Sequence, residues 1–215
     1  MKIAHHRHPI GGYTDEDRAT WIHFATVDEM RLLFGGSDCA IVAGGPSSKG
    51  SCPSRTDELH ANYMAHWTIG CNRAVEFCRP DFAACFEPRK DLDVWAVIKA
   101  RPIPWVLSHI LRDHQRLVLT PSKEDMKITA NAPLKFGQSP FYSMVAAVLM
   151  GFDTIGVIGL DMTRDRYNFK LGLEEAAYEG VCEFAESQGS RIINLNPDSR
   201  LQAIPTGPWS EVRAK

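Results

Sequence analysis

The absences in this chain exclude several classes of protein. No run of 18 apolar residues occurs, so no membrane-spanning helix is expected. Six cysteines are present but no CxxC pair, and Cys71, Cys78 and Cys85 fall seven apart. That pattern gives neither zinc-ligand spacing nor a disulfide scaffold. With a formal net charge of −2 there is no basic surplus to serve as a nucleic-acid footprint. A Gly-x-Ser-x-Gly elbow and a Cys/His arrangement are both missing, which leaves a hydrolase without support. The opening MKIAHHRHPIGG lacks the apolar core of a signal peptide, so a cytoplasmic location is expected. Internal repeats and low-complexity tracts are absent as well.

What is present suits one α/β-sized domain: 215 residues, 44% of them hydrophobic. Residues 1–36 are rich in His, Gly and charge and read as an irregular N-terminal extension, with one amphipathic helical stretch at Val27–Phe34. Residues 37–215 carry the regular pattern. The strand candidates are CAIVA (39–43), HWTIGCN (66–72), DFAACFE (81–87), IPWVLS (103–108), RLVLT (116–120), TIGVIGLD (154–161) and RIINL (191–195). Between them fall helices over Ser54–Met64, Asp91–Ala100, Ser139–Phe152 and about Leu173–Ser187. Ser139 as N-cap, Pro140 at the first helical position and Gly151 at C′ mark the third helix most clearly. Strands alternating with helices at this spacing predict a mainly parallel, doubly wound sheet. Cys39, Cys71 and Cys85 lie in apolar runs and read as reduced core residues.

Open parallel sheets bind ligands at the carboxyl ends of their strands. The strand ends, in order, bring Gly44, Gly45, Pro46, Ser47 and Ser48, then Asn72, then Glu87, then Asp161 to one edge. Each bears a plain reading too. GGPSS serves equally as a tight turn or as a backbone that lets a phosphate approach. Asn72 either steadies a loop or reads a nucleotide. Glu87 and Asp161 are either solvated strand ends, or a general base and ligands for Mg²⁺ on a diphosphate. Ser139 caps its helix, at an end where an anion settles. The HHRH run (5–8) reads as incidental rather than chelating, and no metal-ligand set is assigned. His109, His114 and the charged loop Asp161–Tyr167 are further residues beside the expected crevice.

Five pieces in order carry a resemblance: IVAGGPSSK (41–49), GCNRA (70–74), RPDFAACFEP (79–88), SPFYSMVAAVLMGFDTIGVIGLDM (139–162) and INLNPDSRLQAIP (193–205). Together they resemble the MptE-like and Maf-like family of Rossmann-like domains. That family includes 6-hydroxymethylpterin diphosphokinases and flagellin-modifying glycosyltransferases. More distantly they are similar to bacterial sialyltransferases. The resemblance implies that Gly45, Pro46 and Ser47 form a turn against the donor's phosphates, and that Asn72 and Ser139 contact the nucleotide. It also implies that Asp161 ends the matching Gly-x-Asp strand. The chain departs from the pattern at Gly44, where the sialyltransferases have Asn, and at Glu87-Pro88, where the wider family has Asp-Pro. No histidine follows His114, so the sialyltransferases' catalytic histidine has no counterpart.

The expected function is therefore a transferase that binds a nucleotide or nucleotide-sugar donor at the GGPSS turn, with glycosyl transfer favoured. Glu87 or Asp161 supplies the base, and the acceptor is unspecified. The alternatives are Mg²⁺-dependent diphosphate transfer from ATP to a small hydroxymethyl (pterin-like) acceptor, and a non-catalytic nucleotide-binding module.

Overall fold

The computed structural model describes residues 2–6, 22–25, 27–51, 67–78, 80–85, 96–97, 105–107, 117–120, 139–162 and 171–212. The expected helix over 54–64, most of that over 91–100, Glu87, and the segments 108–116 and 163–170 lie outside these residues.

Short apolar runs with no polar face demand burial on both sides, which a parallel sheet between two layers supplies. Four strands meet that demand: β3 (Cys39–Val42), β4 (Trp67–Cys71), β5 (Phe82–Ala84) and β8 (Thr154–Ile158) are buried almost throughout. They join β6 (Trp105–Leu107), β7 (Leu117–Thr120) and β9 (Arg191–Asn194) in one parallel array. The order across the sheet is β2-β1-β7-β6-β5-β4-β3-β8-β9. The two outer strands, β1 (Lys2–His6) and β2 (Ile22–Ala25), are antiparallel additions. β1 pairs with β7 and β2 with β1.

These two strands correct the expected irregular extension. Part of residues 1–36 extends the same sheet and is followed by helix α1 (Val27–Phe34). KIAHH shows no apolar alternation, and in IHFA the alternation spans only Ile22-His23-Phe24, too short a stretch to mark a strand.

The period-2 alternation of strand side chains divides the core into two faces. Cys39, Ile41, Ile69, Cys71, Phe82, Ile155, Val157 and Ile192 face one side. They meet Met30 and Phe34 of α1, nearly all of helix α3 (Ser139–Leu149) and the inner stripe of α4 (Leu171–Ser187). α3 has ten buried residues out of eleven, so it is sandwiched between the sheet and α4 rather than lying on a surface. Phe34 anchors the α1 side, with ring centroids 4.8 Å from Trp67 and 5.4 Å from Phe82 in edge-on geometry. Val42, Ile158, Ile193 and Leu195 face the other way, against Ala74 and Cys78 after β4 and Val212 near the C-terminus. Cys39, Cys71 and Cys85 are buried thiols, as their apolar runs imply, and Cys78 is buried as well.

Each side of the sheet is thus covered, and the strand order shows where the winding reverses. From β3 the chain steps outward through β4, β5, β6 and β7, then returns through α3 to β8 on the opposite side of β3. The reversal lies between β3 and β8, from which the chain continues in opposite directions, to β4 and to β9; in open α/β sheets ligands bind at the carboxyl edge of such a point.

Candidate functional site at the strand reversal

The ends of β3 and β8 are drawn together by backbone. The Ala43 N–H donates to the Ile158 carbonyl (2.8 Å) and the Gly45 N–H to the Gly159 carbonyl (2.9 Å). This approach explains one glycine of the pair. A Cβ on Gly45 would stand 2.2 Å from the Gly159 carbonyl oxygen and 2.7 Å from Asp161 Oδ2. Gly159, at φ 82°, is forced in turn by the Ala43 carbonyl and Ser48. Gly44 is different: it is exposed, and a Cβ there would meet nothing within 4 Å. The fold does not require it to be glycine.

Directly after Gly45 the chain enters the short helix α2 (Pro46–Ser51), with Pro46 at its first position. The GGPSS stretch is therefore a turn and the first residues of a helix together. Asp161, 3% exposed, reaches back to this helix from the end of β8. The Ser47 N–H donates to Asp161 Oδ2 (2.7 Å) and the Ser47 hydroxyl donates to Oδ1. Oδ1 also accepts from Asn196 Nδ2 at 2.7 Å. The Ser47 hydroxyl accepts the Gly159 N–H (3.1 Å), and the buried Ser48 hydroxyl donates to the Gly45 carbonyl (2.7 Å). Ser47, Ser48 and Asp161 form a closed network. The Ser47 donors that a phosphate would use are already engaged by the protein's own carboxylate.

A second chain of contacts lies one strand over. β3 and β4 are parallel neighbours with Val42 opposite Gly70, so Gly44 and Asn72 each follow the carboxyl end of one of two adjacent strands. Asn72 opens a 3-10 turn (Asn72–Glu76) in the left-handed region, at φ 51°. Asn tolerates this conformation better than other non-glycine residues, but it still carries strain. The Ser139 hydroxyl, at the start of α3, donates to Asn72 Oδ1 at 2.8 Å. Ser139 counts here as the first helical residue rather than the cap. Behind it, the Ser143 hydroxyl donates to the Ser139 carbonyl (2.7 Å) and lies 3.3 Å from the Cys71 sulfur. Buried Ser139 and Ser143 thus orient a half-buried carboxamide. Its oxygen is spent on Ser139, while its Nδ2 donor has no hydrogen-bond partner among the described residues.

The structure gathers Gly44, Gly45, Pro46, Ser47, Ser48, Asn72, Ser139 and Asp161 at this edge. Glu87 lies outside the described residues. Among the described residues no cluster of His, Cys, Asp or Glu is placed to hold a metal ion. The same residues include no helix long and apolar enough to cross a membrane.

Two residues escaped sequence reasoning. Asn196 sits in an irregular stretch, signalled only by the turn-forming run Asn196-Pro197-Asp198-Ser199 after the last strand. Glu174, 1% exposed on the first turn of α4, is a carboxylate buried on the face that places Tyr178 against Phe141 of α3. An acidic first turn is an ordinary feature of helices, so nothing in the sequence set it apart.

These features define an α/β protein with a mainly parallel sheet and a cluster of polar side chains where its winding reverses. Comparison with protein-family models, with curated proteins and with solved structures returns no match.

Proposed function

We propose that the chain is a Rossmann-like transferase that holds a nucleotide-activated donor, a nucleotide-sugar, in the crevice between the ends of β3, β4 and β8. One observation carries this reading. A strained asparagine at a strand end is locked by Ser139 and has its amide donor unspent, and the adjacent parallel strand leads to a glycine that the fold itself leaves unconstrained. A carboxamide fixed in this way donates to a phosphate or ribose oxygen, and Gly44 lets the ligand come close to the backbone.

In this reading the reaction is glycosyl transfer. An acceptor hydroxyl forms a bond to the anomeric carbon, the bond from that carbon to the donor phosphate breaks, and a carboxylate takes the hydroxyl proton. Glu87 is the carboxylate for that base. Asp161 instead holds the GGPSS segment in shape, because Ser47 and Asn196 engage both its oxygens. Asn72 and the first turn of α3 stabilise the charge on the departing phosphate. The likeness to MptE-like and Maf-like proteins supports the same class of donor.

Thermal shift tests this with CMP, CDP, UDP, GDP and ATP, each with and without Mg²⁺. A nucleotide at 100 times its Kd adds about 2.7 kcal/mol, or roughly 5–10 °C for a chain of this size. The expected result is such a shift with CMP, CDP or UDP that is absent in Asn72→Ala. A shift only with ATP and Mg²⁺ would replace glycosyl transfer with diphosphate transfer. No shift with any nucleotide overturns the nucleotide reading altogether.

A further inference from the structure

We propose that Asn196 is a positioning residue for the Gly44–Ser48 turn and acts on it through Asp161. The inference rests on the placement of the site given under Proposed function.

Asn196 is fixed from three directions. Its N–H donates to Asn194 Oδ1 (3.0 Å), its Oδ1 accepts the Asp198 N–H (3.0 Å), and its Nδ2 donates to Asp161 Oδ1 (2.7 Å). Because the Asp198 N–H takes the carboxamide oxygen, only the amino group can face Asp161, so the side chain has one workable orientation. The same segment grips the end of β8 twice more. The Ser199 hydroxyl donates to the Leu160 carbonyl (2.7 Å) and the Arg200 N–H to the Asp161 carbonyl (3.2 Å). Leu201 and Ile204 then anchor the segment in the main core. The residues that follow the last strand therefore aim the Asp161 carboxylate at Ser47, and Ser47 sets the course of the backbone through Gly44 and Gly45.

Asn196→Asp tests the inference because it keeps size and shape. One oxygen of the new carboxylate still accepts the Asp198 N–H, while the other faces Asp161, and two carboxylates in that contact cannot both be ionised. Among the described residues the charged side chains tied to this segment are Asp198 and Arg200 on it, both exposed, and Glu175 of α4, which accepts the Gln202 N–H. The pair keeps a shared proton in the folded state that the unfolded chain has released. The variant is therefore stable at low pH and loses stability as pH rises through the raised pKa of the pair.

The full chain is followed by the Ser47 amide resonance in ¹⁵N NMR and by melting temperature between pH 4 and 8. In Asn196→Asp the Ser47 amide is expected to titrate with a midpoint at least about one unit above the ~4 of an isolated carboxylate. Its melting temperature falls over the same range. In Asn196→Ala the Ser47 resonance moves but shows no such titration. A pH-flat Ser47 amide in Asn196→Asp, or an unmoved one in Asn196→Ala, overturns the proposal. An Asn196→Asp chain that folds at pH 4 but not at pH 7 supports it; one that folds at neither pH, while Asn196→Ala folds, overturns it. No readout uses a nucleotide, so a failed nucleotide screen removes the transferase reading and leaves this test intact.

Discussion

The two glycines of the GGPSS turn are expected to respond to alanine in opposite ways. At Gly45 the new methyl must move from 2.2 Å to beyond 3.0 Å from the Gly159 carbonyl oxygen, and the obstacle is backbone rather than a flexible side-chain tip. Overpacking of this kind costs about 1–3 kcal/mol. Separating the strand ends also breaks the bond from the Gly45 N–H to the Gly159 carbonyl, worth about 1 kcal/mol net. The methyl further crowds Asp161 Oδ2, 2.7 Å away, which holds the Ser47 amide. Together Gly45→Ala should lose about 2–4 kcal/mol, or roughly 4–16 °C of melting temperature in a chain of this length. At Gly44 a methyl meets nothing and the backbone is not left-handed. Gly44→Ala should leave stability unchanged or raise it by about 0.4–1 kcal/mol through the unfolded chain. Circular dichroism melts of the two variants beside the parent chain suffice. If Gly45→Ala melts with the parent, or Gly44→Ala loses as much as Gly45→Ala, the assignment of one glycine to the fold and the other to the ligand is wrong. A folded Gly44→Ala that binds nucleotide as tightly as the parent would remove Gly44 from the site.

Two further outcomes follow from the same geometry. At position 72 the left-handed backbone makes glycine the easier replacement, so Asn72→Gly should be more stable than Asn72→Ala by about 1 kcal/mol. Both should lose nucleotide affinity, and equal stability of the two would refute the strain at this residue. Burial pushes the Cys71 thiol up to about 12 from an ordinary value of 9.0, and raises Cys39 and Cys182 likewise. A thiol that stays protonated in the folded state contributes stability in full below pH 9, and that stability is lost as pH rises toward 12. The melting temperature should therefore decline above pH 9, less steeply in Cys71→Ala, and an identical alkaline slope in that variant would exclude Cys71 as a cause.

Much of the sheet was legible in the sequence because its strands are short apolar runs bounded by polar turn residues. β3, β4, β8 and β9 begin and end within a few residues of the apolar stretches that announce them. α3 was legible from the Ser139-Pro140 start and from Gly151, which takes φ 81° as the helix stops. Gly189, at φ 78°, ends α4 in the same way. The histidine-bearing strands β1 and β2 were not legible, since pairing of β1 with β7 and of β2 with β1, rather than their own pattern, makes them strands. α2 was hidden as well: Ser47, Ser48, Lys49 and Gly50 form a weak helical sequence, and the helix draws on Asp161, 114 residues away from Ser47, to engage the Ser47 amide and hydroxyl. Within the site, the meeting of Ser47, Asn72 and Asp161 at one edge follows from strand order. The partnerships do not. That Asp161 is spent on Ser47 and Asn196, while Asn72 keeps a donor, depends on side-chain contacts across 35 to 114 residues of chain that no local pattern encodes.

The placement of strain separates the two edges of the sheet. Three turns that lead into strands take left-handed backbone with glycine: Gly36 before β3, Gly151 before β8 and Gly189 before β9. There the conformation is needed and no side chain is, so the residue that adopts it at no steric cost is used. At the carboxyl edge Gly159 (φ 82°) does the same, but two non-glycine residues adopt this backbone too, Asn72 at φ 51° and Met162 at φ 52°. A glycine at either position would relieve the strain, so the side chain there outweighs it. For Met162 the fold supplies a reason, since its side chain is buried in the main core and the residue before it is clamped by Ser47, Asn196 and the Arg200 amide. For Asn72 the core supplies none: the side chain is half-buried, its oxygen is held by Ser139, and its amino group is left over. Strain kept for a donor that the described residues do not use is the physical ground for proposing that the carboxyl edge beside Asn72 receives a ligand.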